Sequence, residues 1–183
     1  MFTNMSLYSK ILTTPKTLIA PELIEQTVDV TVIKEKLNKK INTLFQGSLA
    51  IREVDAGSTN ACEHELTALA NSYYDSERFG IHFVASPRHA DMLIVTGPVS
   101  RNMAVALKKT YDATPDPKIV VALGDDAIDG GIFKGSYSVL DGVHNVIPVH
   151  YQIPGDPPCP KTILASLLYI LNVIEKKRAT TSL

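Results

Sequence analysis

Three short stretches concentrate the side chains able to do chemistry. "TNACEHE" sets Cys62 beside Glu63, His64 and Glu65, "GDDAIDGG" supplies Asp125, Asp126 and Asp129, and "PGDPPCP" supplies Asp156 and Cys159. Thiolates are soft ligands for iron or zinc, whereas carboxylates suit hard cations such as magnesium or calcium. Buried carboxylates can also trade protons near neutrality. The plainer role for these aspartates is to hold the Gly/Pro-rich turns in which they stand, or to pair with Arg101 or Lys134. Cys62 looks like a CxxC pair whose first member is missing, with Thr59 in its place. "CEHE" lacks the i, i+4 histidine pair of a zinc protease, and no Walker or G-x-G-x-x-G loop is present. No Ser/His/Asp or Cys/His triad follows from the spacing.

The elements that must position these groups are legible from hydrophobic pattern. "SLAIREV", "GIHFVAS", "DMLIVTG" and "KIVVALG" read as strands, and "NVIPVHYQIPG" as a last one near an edge because of Pro148. Helices are expected from Asn60 to about Asn71, from about Val99 to Tyr111, and from near Pro160 onward. Strands alternating with helices predict an α/β domain with an open, mostly parallel sheet and helices on both faces. In such a sheet the loops at the carboxyl ends of the strands converge on one rim. Loops 56–62, 97–102, 124–131 and 154–160 are therefore expected to face the same place.

The first 47 residues differ in character. Ile33, Leu37, Ile41, Leu44 and Phe45 recur at helical spacing with Lys34, Lys36, Lys39 and Lys40 among them. This amphipathic helix either covers the domain's own core with its lysines solvated, or belongs to an arm that meets a partner or a membrane surface. The division expected is an arm over 1–47, the α/β domain over 48–177 and a tail over 178–183.

Composition sets outer bounds. The 183 residues are 45% hydrophobic and 20% charged, with a net charge of −1, so no global field favours nucleic acid. Two cysteines make no disulfide framework. The start of the chain, interrupted by Lys10 and Lys16, has no continuous apolar stretch of the secretory type. "TILASLLYILNVI" is shorter than the roughly 20 residues of a membrane span and reads as a buried helix.

Four long motifs, "GSTNACEHE", "ERFGIHFVASPRHADMLIVTGPVSRNM", "PDPKIVVALGDDAIDGGIF" and "IPGDPPCP", occur in order between about Ser48 and Lys176. Together they resemble the small subunit of membrane-bound, energy-converting [NiFe] hydrogenases and its relative, the 20 kDa subunit of respiratory complex I. The resemblance implies a flavodoxin-like domain whose rim holds one [4Fe–4S] cluster through four cysteines. Carried onto this chain, those four positions are Thr59, Cys62, Asp126 and Asp156. One thiolate of four remains, and Cys159, three residues past the fourth position, would raise the count only to two. Cluster iron needs thiolates, and a threonine hydroxyl is a poor ligand.

The resemblance therefore implies a cluster-less subunit, not catalytic by itself, in a membrane-associated complex that moves protons or other ions. It would dock a hydrogenase-large-subunit-like protein onto antiporter-like membrane subunits, peripherally on the cytoplasmic side of the plasma membrane of a prokaryote-type complex. Glu63 would face the large subunit and a proton route, and Arg88, His89 and Arg101 are interface candidates. The alternative is an active electron-transfer subunit with a [4Fe–4S] cluster in an unusual ligand set. A third possibility is a free-standing module binding a small anion or nucleotide at the rim.

Overall fold

"IVVAL" (Ile119–Leu123) is apolar at every position, and such a segment is stable only when covered on both faces. The computed structural model, which describes residues 29–181, places it as an inner strand of a five-stranded, all-parallel sheet. The strands are β1 (Leu49–Asp55), β2 (Ile81–Phe83), β3 (Met92–Thr96), β4 (Ile119–Leu123) and β5 (Tyr151–Ile153), in the spatial order β2-β1-β3-β4-β5. Register runs from Ile51 opposite Met92 to Asp55 opposite Thr96, and from Met92 opposite Ile119 to Thr96 opposite Leu123. The two outermost strands have three residues each, which leaves little edge to pair with other chains.

Helices cover both faces. On one side lie α1 (Val30–Phe45), α2 (Ala61–Ala68) and α5 (Pro160–Thr181), packed on Leu49, Ile51, Ile94, Val121 and Leu123. On the other lie α3 (Arg101–Ala113) and the single-turn α4 (Asp125–Asp129), over Val54, Leu93, Val95, Val120 and Ala122. The chain leaves β1 toward the first side and β3 toward the second. In this strand order the change of side between neighbouring strands opens a crevice at their carboxyl ends.

Two helix boundaries differ from the expected ones for local reasons. α3 starts at Arg101 rather than Val99 because Val99 has φ +57° and Ser100 is the N-cap, accepting from the Met103 amide. α2 stops at Ala68, and Asn71 instead folds a turn by accepting the Tyr73 and Tyr74 amides on its side chain.

Of the arm, α1 is the part within the described residues; residues 1–28, and residues 182 and 183 of the tail, lie outside them. Ile33, Leu37 and Ile41 of α1 are buried in the same core as α5. Its lysines are not all solvated. Lys34 is 7% exposed, donates to the Tyr73 carbonyl at 3.0 Å and stands 5.0 Å from the Phe79 ring centre. Lys40 pairs with Glu175 of α5, so the basic face also helps fasten this helix to the body.

Candidate functional site

Backbone constraints build the rim. After β1, the Asp55 carboxylate accepts the Gly57 and Ser58 amides, both at 2.8 Å, and so folds the chain toward α2. Gly97, at the end of β3, has φ +79°, and a Cβ there would come within 2.6 Å of the Ser58 nitrogen. Only glycine lets these two loops touch. Ser100 then donates its amide to the Ala56 carbonyl at 2.8 Å and ties the loops together. Val99, fully buried at φ +57°, is a β-branched residue in the left-handed region, a strained conformation that persists only where its surroundings impose it.

The loops after β4 and β5 close the other side. Gly124 donates to the Ile153 carbonyl, Asp125 to the Gly155 carbonyl, and the Gly155 amide returns a bond to the Asp125 carboxylate at 2.9 Å. Asp125 is thus a clasp between two strand ends. Asp129 accepts from Lys134 and from the Gly131 amide; burial pushes its carboxyl up, but these two hydrogen bonds and the charges of Lys134 and His144 together hold it below its usual range. Of the two expected partners, Lys134 fills that role. Arg101 instead donates to the Tyr137 carbonyl and pins the loop after α4.

Cys62 sits in the first turn of α2, buried, with its Sγ against Gly124: a Cβ on that glycine would lie 2.6 Å from the sulfur. Burial, then the charges of Glu63, Asp156, Asp126 and Asp125, push its thiol up to about 12. Asp126 is 9% exposed; burial and the neighbouring Asp156, Asp125 and Asp129 push it up to about 6, against one stabilising bond from the Ile132 amide. The structure therefore brings Cys62, Asp126 and Asp156 into one electrostatic neighbourhood. Thr59 is exposed in the loop before α2, and Cys159 is exposed with its sulfur 3.2 Å from the Thr162 hydroxyl.

These residues do not fit a [4Fe–4S] cluster. The positions that the resemblance assigns to ligands offer one sulfur, Cys62, beside a threonine and two aspartates, whereas a cluster is held by four thiolates. Among the described residues no group of three or more His, Cys, Asp and Glu is arranged to hold a metal ion.

Glu63 lies one residue further into α2. Thr96, buried at the end of β3, donates its hydroxyl to one carboxylate oxygen of Glu63. The other oxygen, Oε2, is buried without a partner among the described residues, as are Glu53 Oε1 and Arg52 Nε on β1. All three residues line a pocket of about 380 Å³ between α2 and the β1–β2 edge, with Leu66, Thr67 and Ala70 on one wall and Phe83, Val84 and Ala85 on the other. Burial and the charge of Glu63 raise the pKa of Glu53. Arg52 and Glu53 were not singled out from sequence. The available signal was the "IREV" of β1, where two charged residues interrupt an apolar strand. Arg88 and His89 are exposed on the turn Pro87–His89, which leads into the amino end of β3, not onto the rim.

The profile of the family described as NADH ubiquinone oxidoreductase, 20 Kd subunit, matches residues 60–170. The chain is 39% identical over 156 residues to formate hydrogenlyase subunit 7 of Escherichia coli, covering 84% of this chain and 60% of that protein. It therefore spans under two thirds of that relative's length. It is 40% identical over 146 residues to the probable membrane-bound hydrogenase subunit mbhJ of Pyrococcus furiosus, covering 78% of this chain and 87% of that one. Among solved structures, a chain of the membrane-bound sulfane sulfur reductase, an archaeal respiratory membrane complex, superposes with a TM-score of 0.63. That match has 30% identity and covers 81% of this chain and 77% of the other.

Proposed function

The chain belongs to the family of the NADH ubiquinone oxidoreductase 20 kDa subunit, and on that premise we propose that it is a cluster-less member, a docking subunit rather than an electron carrier. It is homologous to subunits of membrane-bound hydrogenase and complex I-like assemblies. In such an assembly it would seat a large-subunit homologue on antiporter-like membrane subunits, peripherally on the cytoplasmic face of a prokaryotic membrane, in a complex that moves protons or other ions. Among the described residues no helix is long and apolar enough to cross a membrane, which accords with attachment through partners.

The observation that carries this reading is the donor set of the rim. By the resemblance, the four cluster-ligand positions fall on Thr59, Cys62, Asp126 and Asp156, and the Cys62 sulfur is packed on Gly124. What such a rim offers is shape: loops tied in pairs, after β1 and β3 and after β4 and β5, as a rigid surface for a partner. Glu63 is proposed to look toward the large subunit, with Thr96 orienting its carboxylate. Arg88, His89 and Arg101 are proposed to contribute to subunit contacts.

A second reading keeps an electron-transfer role, with a cluster held by Cys62, Asp126, Asp156 and a ligand from outside the chain. Its support is the convergence of those three residues on one spot. Anaerobic purification of the assembled complex, with metal analysis and low-temperature paramagnetic resonance after reduction, separates the two. The cluster-less reading expects no reduced-cluster signal assignable to this chain. A signal that disappears in Cys62→Ala would establish the second reading instead.

A further inference from the structure

We propose that the pocket between α2 and the β1–β2 edge is a recognition site for one guanidinium group carried on an apolar stem. The inference stands on the pocket and not on the loss of the cluster. β2 ends at Phe83, opposite Ile51, so β1 runs on past its neighbour and leaves Glu53 beside open space that α2 roofs. Glu53 Oε1 and Glu63 Oε2 are buried acceptors without donors among the described residues, an arrangement native proteins rarely leave standing. They repel each other, and Arg52, whose own Nε has no partner among the described residues, offsets the penalty at Glu53 only in part.

The charge count of the pocket is two carboxylates against one guanidinium, a net of about one negative charge with all three ionised. A guest bearing a single positive charge balances it. A guanidinium presents its N–H donors in a planar fork and so can serve carboxylates on two different elements at once, which a compact ammonium does less well. The walls formed by Leu66, Ala70, Phe83 and Val84 suit the methylene stem behind such a head. The group can come from a free small molecule or from an arginine of a partner subunit; the chemistry recognised is the same.

The test is titration of the full chain with n-propylguanidinium, followed by backbone amide shifts at Leu66, Thr67, Ala70, Val84 and Ala85. The neutral isostere n-propylurea is the control. Saturable shifts at those amides are expected, with n-propylurea binding at least tenfold more weakly. Glu53→Gln and Glu63→Gln should each weaken binding at least tenfold. Ala70 is exposed in the turn after α2, so Ala70→Leu should fill the pocket without disturbing the fold and abolish binding even if the glutamate variants unfold. Absence of saturable shifts, equal binding of n-propylurea, or binding that survives Ala70→Leu would each overturn the proposal. Repeating the titration on the assembled complex assigns the source. A blocked pocket means a partner's arginine fills it, and an open one means a small molecule does.

Discussion

At Asp126 the fold works against ionisation. Its carboxyl moves from 3.8 to about 6 through burial and the neighbouring aspartates. Below about pH 4 folded and unfolded chains both hold this proton, and nothing is lost. Between about 4 and about 6 the folded chain binds more protons, so the Asp126 contribution to stability falls as pH rises, and above about 6 the full penalty applies. That penalty is on the order of 2 kcal/mol. Asp126→Asn, which keeps an acceptor for the Ile132 amide, is expected to stabilise the chain by about 1–2 kcal/mol at pH 7.5. At pH 4 it should give no gain; urea unfolding at the two pH values checks this, and an equal gain at both would remove the electrostatic explanation. Gly124, at φ +90° and ψ 155°, lies in a region nearly reserved for glycine, and its Cα faces the Cys62 sulfur. Gly124→Ala should cost roughly 3 kcal/mol, backbone strain and overpacking together. Adding Cys62→Ala should recover about 1 kcal/mol of the overpacking part, a coupling that a double-mutant cycle measures directly.

Among the elements, α1 shows how far an amphipathic pattern can be read. Ile33, Leu37 and Ile41 form one stripe in sequence, and the structure buries that stripe against α5. Leu37 is fully buried, so Leu37→Ala should destabilise the chain by about 2–5 kcal/mol in chemical denaturation. A loss under about 0.5 kcal/mol, as at a surface position, would mean that α1 is not part of the core. The fate of Lys34 was not legible, because lysine is a surface residue by default and its acceptor, the Tyr73 carbonyl, comes from a turn 39 positions away. The strands were legible because "IVVAL" and "MLIVT" are apolar throughout, as inner parallel strands must be. Convergence of the four loops followed from strand polarity alone. The start of α3 was not, because nothing in "TGPVSR" announces a left-handed valine. Nor was the pocket: Glu53 and Glu63 are on different elements and share it only once α2 folds back over β1.

At the scale of the whole molecule, an all-parallel sheet with both faces covered by helices carries a chain of the 20 kDa subunit family, which is similar to a probable membrane-bound hydrogenase subunit. The scaffold around the rim is closely braced. The glycines that let loops touch are present, Ser100 caps α3, and Asp125 clasps β4 to β5. In the proposed cluster-less subunit the chemistry on that scaffold differs, with carboxylates and a threonine at three of the four positions that the resemblance assigns to thiolates. A rim so braced fits the proposed task of holding partners in place. The most direct check is iron and acid-labile sulfide per chain, measured on the full chain purified without oxygen. The account predicts well under about 0.5 iron per chain, whereas about four irons and four sulfides per chain, the content of one [4Fe–4S] cluster, would contradict it.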